Sequence, residues 1–592
     1  MSSSSFDSSG CSSLVICSGW GMLGLLGKNS YFRSVVVDLD SSVGRFMTRL
    51  RNLGSYDQSV LAFSWDIPEY FNLFQASVGN PTFADRLCLR HVGAQGEVTD
   101  WTFADMAASS SKLAHLFDDL GLSTDARVGV FLSQCPETIM AHMACSMSGR
   151  IALPLFSLFR AEALAYRLKD SSAEVVLCDL ENLPHILALR DQLPNLRHVL
   201  LTDADHHEAL NLHSAMALFE AAYPVVRSRA DDPCLIIYTS GTTGAPKGAL
   251  HAQRLVLGHM PAVDMAFEFP QGDQARFWTP ADWAWIGGLY DVLMPALLMG
   301  ATTISHRFKK FEPEKAFQLM SDHGVTHTFL PPTAIKLMRQ ERPLGAKPHL
   351  GLHAVMSGGE ALSGELLAWG REILQVSINE LYGQTECNLV LCNCGALFPQ
   401  KQGSVGRVVP GHDLVLLDHE YQLVSESYVS GQVAIKSPDP VMMLSYWNNP
   451  NATAEKYQKG YLLTGDYAHM DEDGYFYFDG RRDDLMSVAG YRIGPSEIED
   501  CLLAHPDVAM VAVVGVPDPI KGQAVKAFVV LHGEGLDELV LGKALRQRVR
   551  EKLAPHEVPR DISFVDSLPL TSTGKIIRAE LRGQHELTER PA

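Results

Sequence analysis

From Trp65 onward the chain alternates short apolar runs with segments whose apolar residues recur at helical spacing. Val128-Gly-Val-Phe-Leu, Ile151-Ala-Leu-Pro-Leu, Val175-Val-Leu-Cys and Val199-Leu-Leu are continuous apolar runs, the pattern of strands buried on both faces. Ala104 to Leu120 and Glu137 to Met147 carry the helical pattern, and Gly121 ends the first of them. Strands alternating with helices predict parallel sheets covered on both faces. A third cycle runs through Leu235 to Tyr238, Ala301 to Ile304, Val325 to Leu330 and Ala354 to Met356. From Gly406 to Tyr477 the texture changes to short strands and turns, which predicts a small β-rich subdomain. After the charged turn Gly480 to Asp484, the pattern reads helix Ser496 to Ala504, strand Met510 to Val514, strand Val525 to Leu531 and helix Asp537 to Leu553. The expected fold is α/β. A large N-terminal domain, residues 47–482, holds two αβ-layered subdomains and the β-rich one, and a small α+β C-terminal domain, residues 483–592, follows.

Residues 1–46 read differently. Ser2 to Ser13 is dominated by serine, and Leu14 to Leu26 is a short apolar patch that no lysine or arginine precedes, so it lacks the basic start of a secretory signal. The segment is expected to be a disordered extension, with Met47-Thr-Arg-Leu-Arg as a plausible true start. A length of 592 residues exceeds one ordinary core, in agreement with several domains. A formal net charge of −19 argues against nucleic acid or an anionic membrane as the main partner, since either needs a basic face. The 11 cysteines form no disulfide-like framework and suit a reducing, cytoplasmic setting. Cys387, Cys392 and Cys394 lack the paired spacing of a zinc site and read as buried thiols. No apolar run reaches the ~20 residues that span a bilayer.

The chemistry concentrates first in Ile236 to Leu250. Strand-like Leu235 to Tyr238 leads into Thr239, Ser240, Gly241, Thr242, Thr243 and Gly244, then Ala245, Pro246, Lys247 and Gly248. Glycines let a backbone fold its N–H groups around a polyphosphate, hydroxyls add donors, and the lysine adds a mobile charge. A Walker A loop would need a hydroxyl residue directly after the lysine; here Gly248 follows, so that reading fails. Tyr-Thr-Ser-Gly-Thr-Thr-Gly-Ala-Pro-Lys-Gly resembles the phosphate loop of the adenylate-forming superfamily, which includes acyl-CoA synthetases, luciferases and peptide-synthetase adenylation domains.

Further stretches carry the same resemblance. Asn379-Glu-Leu-Tyr-Gly-Gln-Thr-Glu386 offers a hydroxyl and a carboxylate, and taken alone is as readily a surface loop as a site. Magnesium takes oxygen ligands and shares them with phosphates, so Glu386 suits the metal and Thr385 a phosphate. The resemblance implies that Glu380, Leu381, Tyr382, Gly383 and Gln384 line the nucleotide. It also implies that Gly359, Glu360 and Ala361 face the purine, that Asp466 of Tyr461-Leu-Leu-Thr-Gly-Asp takes the ribose hydroxyls, and that Arg481 joins it. Asp483 matches the hinge about which the small domain turns between half-reactions. Arg492 resembles an arginine that reaches phosphate, and Gly490 a glycine that leaves room for pantetheine. Lys575, in Leu568-Pro-Leu-Thr-Ser-Thr-Gly-Lys, matches the lysine that bridges carboxylate and α-phosphate.

The acid's pocket is less legible. In Phe277 to Tyr290 the resemblance sets Trp285 beside the substrate; Trp278 and Trp283 are equally readable as core. Acetate- and propionate-specific members place a tryptophan at the position of Gly383, so glycine there is expected to leave room for a longer acid. The motifs together look most like the medium-chain acyl-CoA synthetase branch. The implied activity joins a carboxylic acid to coenzyme A with ATP and Mg2+ through an acyl-AMP, on medium-chain fatty or arylalkanoic acids, by a monomer or a homodimer. Rival readings are transfer to a carrier-protein pantetheine, a short-chain ligase, and a non-catalytic nucleotide-binding paralogue.

Overall fold

The computed structural model describes residues 55–239, 245–340, 350–360, 362–481, 484–488, 491–518, 522–533, 535, 537–553, 557–570 and 576–588. Two large sheets carry the N-terminal part. In the first, strands Leu87–Val92, Thr302–Ser305, Arg276–Trp278, His327–Phe329, Ala354–Gly358 and Ile378–Gln384 lie side by side and parallel. In the second, His198–Leu201, Val175–Cys178, Arg127–Phe131, Ile151–Pro154 and Pro233–Thr239 do the same. Ile151–Pro154 and Val175–Cys178 in the middle of the second sheet are wholly buried, which is why they read as continuous apolar runs rather than alternating ones.

The helices begin and end where short-range chemistry dictates. Thr102 caps Phe103–Asp119 through a reciprocal box with Asp105, and Gly121 follows its end at φ 67°. Pro136 sits in the first turn of Pro136–Ser148, where its missing N–H costs nothing, and Gly149 closes that helix at φ 78°. Between the two sheets lies a fully buried helical layer, Leu255–Ala266 and Met294–Leu298, the second continuing directly from the π-helical turn Leu289–Leu293. Its apolar residues share one core with Val128 and Leu235 of the second sheet and Phe277 and Met356 of the first.

At one end of each sheet's parallel run the next strand turns back antiparallel, and the two predicted phosphate motifs fall at these reversals. Pro233–Thr239 turns back antiparallel as Lys247–Ala252, with Thr239 opposite Lys247. Ile378–Gln384 turns back as Cys387–Cys392, with Gln384 opposite Cys387 and a bulge just before. A loop at the carboxyl end of parallel strands is the usual place for a ligand in such sheets.

The third cycle does not form a unit. Pro233–Thr239 joins the second sheet, whereas Thr302–Ser305, His327–Phe329 and Ala354–Gly358 belong to the first. Apolar runs mark strands but not their partners. The β-rich stretch likewise is hydrogen-bonded onto the first sheet, since Ser404–Val408 bridges Cys387–Cys392 to Phe476–Arg481, followed by Tyr461–Met470, Gly431–Lys436 and Leu414–Leu417. The small C-terminal sheet pairs Val508–Asp518 with Gly522–Leu531 and adds the hairpin Met486–Val488 and Tyr491–Ile493, too short to stand out in the pattern. Helices Pro495–Leu503 and Glu538–Lys552 pack on it. No helix among the described residues is long and apolar enough to cross a membrane.

Candidate active site

Asp466 organises the nucleotide side. It lies mid-strand in Tyr461–Met470, 4% exposed, directly across from Arg481 in the antiparallel ladder. Its Oδ2 accepts from the Tyr382 hydroxyl at 2.7 Å and from Gln384 Nε2 at 2.5 Å, and its Oδ1 lies 3.2 Å from Arg481 Nε. Burial works against the Arg481 guanidinium, but Asp466, Glu386 and Asp484 outweigh it and hold the group further toward its charged form. Burial also pushes the Tyr382 hydroxyl far above its ordinary range, reinforced by Asp466, so the phenol stays a donor. Lys456, which the sequence reading passed over, donates to Gln384 Oε1 at 3.0 Å and to the Thr464 carbonyl at 3.2 Å. The cluster thus holds a carboxylate in place by three side chains drawn from two adjacent motifs, with Lys456 steadying one of them.

In the turn expected to face the purine, Gly359 has φ 97°, a conformation that glycine alone adopts without strain. Beside it Glu360 pairs with Lys336 at 3.3 Å. Glu380 is 3% exposed, and burial pushes its carboxyl up to about 8 although the Leu362 N–H bonds to it at 3.0 Å.

The two reversals are joined by a strap, Met443 to Trp447. Ser445–Tyr446 pairs as an extra edge strand with Lys247–Ala252, and Met443 N donates to the Glu386 carbonyl at 2.9 Å. Tyr446 points its hydroxyl at Glu386 Oε1, 2.5 Å away, while Lys247 Nζ lies 5.3 Å from the centre of the same ring. An open depression of about 370 Å3, lined by Tyr446, Asn449, Thr453 and Tyr457 among others, adjoins the strap. Tyr446 was also missed by the sequence reading. Its signal was the aromatic pair in Ser445-Tyr-Trp-Asn-Asn-Pro, a turn-like segment with two large apolar groups that needed a burial site.

On the acid side, Trp278 and Trp283 are core residues, each no more than 1% exposed. Trp285 is only partly buried and packs against Phe329 at 5.6 Å. The room expected at Gly383 is filled. A Cβ there would meet Leu389 N at 2.4 Å and Asn388 Oδ1 at 2.6 Å, so glycine is required by the close approach of the returning strand. Asn388 Nδ2 donates to Asp291 Oδ1 at 2.5 Å, and His259 Nδ1 meets the same oxygen at 3.1 Å. Burial raises the Asp291 carboxyl and depresses His251 to about 3, so His251 is a neutral ring at neutral pH.

Ser240, Gly241, Thr242, Thr243, Gly244, Ala361, Asp483, Gly490, Lys575 and the Arg492 side chain lie outside the described residues. Around the expected hinge, Asp484 N and Leu485 N both donate to the Arg481 carbonyl, and Asp484 pairs with Arg582 at 3.2 Å. Arg578, three residues beyond Lys575, is held by both Glu499 oxygens at 2.8 Å.

Asp466, Tyr382, Gln384 and Arg481 thus meet at the end of Ile378–Gln384, at one of the two reversals that carry the expected phosphate motifs. Residues 75–447 match the family model described as AMP-binding enzyme, and residues 497–575 match the AMP-binding enzyme C-terminal domain. The mitochondrial acyl-coenzyme A synthetase ACSM3 of Mus musculus is 30% identical over 91% of this chain and 94% of its own length. The acetyl-coenzyme A synthetase of Bacillus subtilis (strain 168) is 33% identical over 81% of this chain and 84% of its own. Among solved structures, the anthranilate CoA ligase AuaEII with anthranoyl-AMP matches at TM-score 0.80 and 26% identity, covering 88% of this chain and 99% of that one. The acyl-CoA synthetase of Brucella canis matches at TM-score 0.70 and 30% identity, covering 91% and 100%. The chain belongs to the AMP-binding enzyme family, and within that adenylate-forming superfamily to the acyl-CoA synthetases, ATP-dependent ligases that make acyl-CoA by way of an acyl-AMP.

Proposed function

We propose that this ligase activates a medium-chain fatty or arylalkanoic acid, with the nucleotide held as the motifs imply. The observation that carries the reading is the Asp466 cluster, a buried carboxylate pinned by Tyr382, Gln384 and Arg481 and suited to two vicinal hydroxyls. In the first half-reaction a carboxylate oxygen attacks the α-phosphorus and the bond to pyrophosphate breaks. Lys575 would bridge the carboxylate and α-phosphate, and Lys247 would neutralise the departing pyrophosphate. In the second, the CoA thiol attacks the acyl carbonyl and AMP leaves. Little covalent help is needed, so positioning and cations carry the rate.

The donor set fits magnesium. Glu386 presents a buried carboxylate and Thr385 a hydroxyl next to it, both hard oxygens. When bound, the ion supplies charge neutralisation at the phosphates; Glu386 is the residue that would hold it, with Thr385 beside it at a phosphate.

The aliphatic or arylalkanoic assignment rests on the motif combination, and the anthranilate CoA ligase among the structural neighbours supports an aryl acid. One observation favours a second reading, a short-chain acid. The space beside Gly383 is occupied, which removes the argument against it, and a relative of this chain is an acetyl-coenzyme A synthetase. The test is single-turnover mass spectrometry with ATP, Mg2+ and octanoate. Octanoyl-AMP should accumulate without CoA and convert to octanoyl-CoA on its addition. An adenylate that CoA does not consume would overturn the proposed acceptor.

A further inference from the structure

Glu386 is 9% exposed, and a carboxylate so placed needs a compensating donor. Among the described residues that donor is the Tyr446 hydroxyl, on Oε1 at 2.5 Å. The face of the same ring lies 5.3 Å from Lys247 Nζ, inside the range in which an aromatic face attracts an ammonium. One side chain therefore touches both the expected metal ligand and the expected pyrophosphate cation, which arise on different sheets and are far apart in sequence. Tyr446 is itself fixed by the backbone. It pairs opposite Ala249, Leu444 N donates to Leu250 O, and Trp447 N donates to Gly248 O at 2.7 Å. Beyond the strap, Trp447 Nε1 bonds the Asp170 carbonyl at 3.1 Å and pins the far end without reaching either functional group.

We propose that Tyr446 is a positioning residue that sets the Glu386 carboxylate with its hydroxyl and the Lys247 ammonium with its ring, coupling the two phosphate turns. The proposal rests on the reading of Glu386 and Lys247 given above. Separating the two contacts is straightforward: Tyr446→Phe removes the hydroxyl and keeps the ring, and Tyr446→Leu removes both.

Isothermal titration of ATP into the full chain, at graded Mg2+ and in EDTA, reads the two contacts separately from turnover. Tyr446→Phe should raise the Mg2+ concentration for half-maximal ATP binding about tenfold, the size expected for losing a hydrogen bond to a charged group, and leave ATP binding in EDTA unchanged. Tyr446→Leu should show the same Mg2+ shift and also weaken binding in EDTA about threefold. The KM for the acid should stay the same in both. Trp447→Phe, which loosens the strap elsewhere, should lower the melting temperature without moving the Mg2+ response. An unchanged Mg2+ response in Tyr446→Phe, or an equal shift in Trp447→Phe, overturns the assignment to Tyr446. An unaltered chain whose ATP binding ignores Mg2+ would instead overturn the reading of Glu386.

Discussion

The Asp466 cluster draws Tyr382 and Gln384 from the end of Ile378–Gln384 and Asp466 and Arg481 from the neighbouring strands Tyr461–Met470 and Phe476–Arg481, which meet across the sheet. The region behind Trp285, itself in a partly buried loop, draws Asp291, Asn388 and His259 from a π-helical turn, a returning strand and a helix buried on every face. The first is polar, and each of its members sits in a motif that can be read in the sequence although the members meet only in the fold. The second is built by packing around buried polar groups that no single stretch announces.

The largest break in this comparison should come from Lys575→Ala. It should cost the adenylation half-reaction about 3–4 kcal/mol, the worth of one preorganised charge-stabilising donor. Acyl transfer from supplied acyl-AMP to CoA should be spared, and equal loss in both halves, seen in separate single-turnover assays, would contradict its role. Next, Asp466→Asn should reduce kcat/KM for ATP by about 2–3 kcal/mol while leaving the acid's KM alone, because it weakens bonds to charge that only the nucleotide needs. Gly383→Ala sharpens the contrast from the other side. Its Cβ would overlap Leu389 N and Asn388, so thermal unfolding should show a loss of about 1–3 kcal/mol whatever acid is assayed. A stable variant with a shortened acid preference would restore the open-pocket reading.

The smallest effect concerns Glu380. Burial raises its carboxyl from 4.5 to about 8, and Asp500 adds to the rise while the Leu362 N–H opposes it. Between these values the folded chain keeps a proton that the unfolded chain has lost, so stability falls as pH rises through the window. Glu380→Gln keeps an oxygen for the Leu362 N–H and should flatten that fall, seen as a smaller difference in stability between denaturant titrations at pH 5 and pH 8. An unchanged slope would show that the carboxyl is not held neutral.

Much of this architecture is legible in the residues because buried parallel strands leave unbroken apolar runs and helix ends carry their caps. Val175-Val-Leu-Cys coincides with a strand, and the expected helix Asp537 to Leu553 coincides with Glu538–Lys552. Strand partners were not legible, which is why the third cycle divides between two sheets. Asp466 and Arg481 could be read because each sits in a motif with a recognisable neighbour. Lys456 and Asn388 could not, since their contacts exist only once separate segments have folded together, and for Tyr446 the aromatic pair signalled burial but not its partner Glu386. Gly383 shows the same limit: its sequence position suggested a vacancy, and only the returning strand reveals that the space is taken.

The most direct test is pyrophosphate release across acids from acetate to laurate, with benzoate and phenylacetate, each with and without CoA. A maximum at a medium-chain or arylalkanoic acid, with sustained turnover that requires CoA, is the predicted result. A maximum on acetate would mean that the occupied space beside Gly383 closes the pocket, and release limited to one turnover with CoA present would contradict the acyl-CoA product itself.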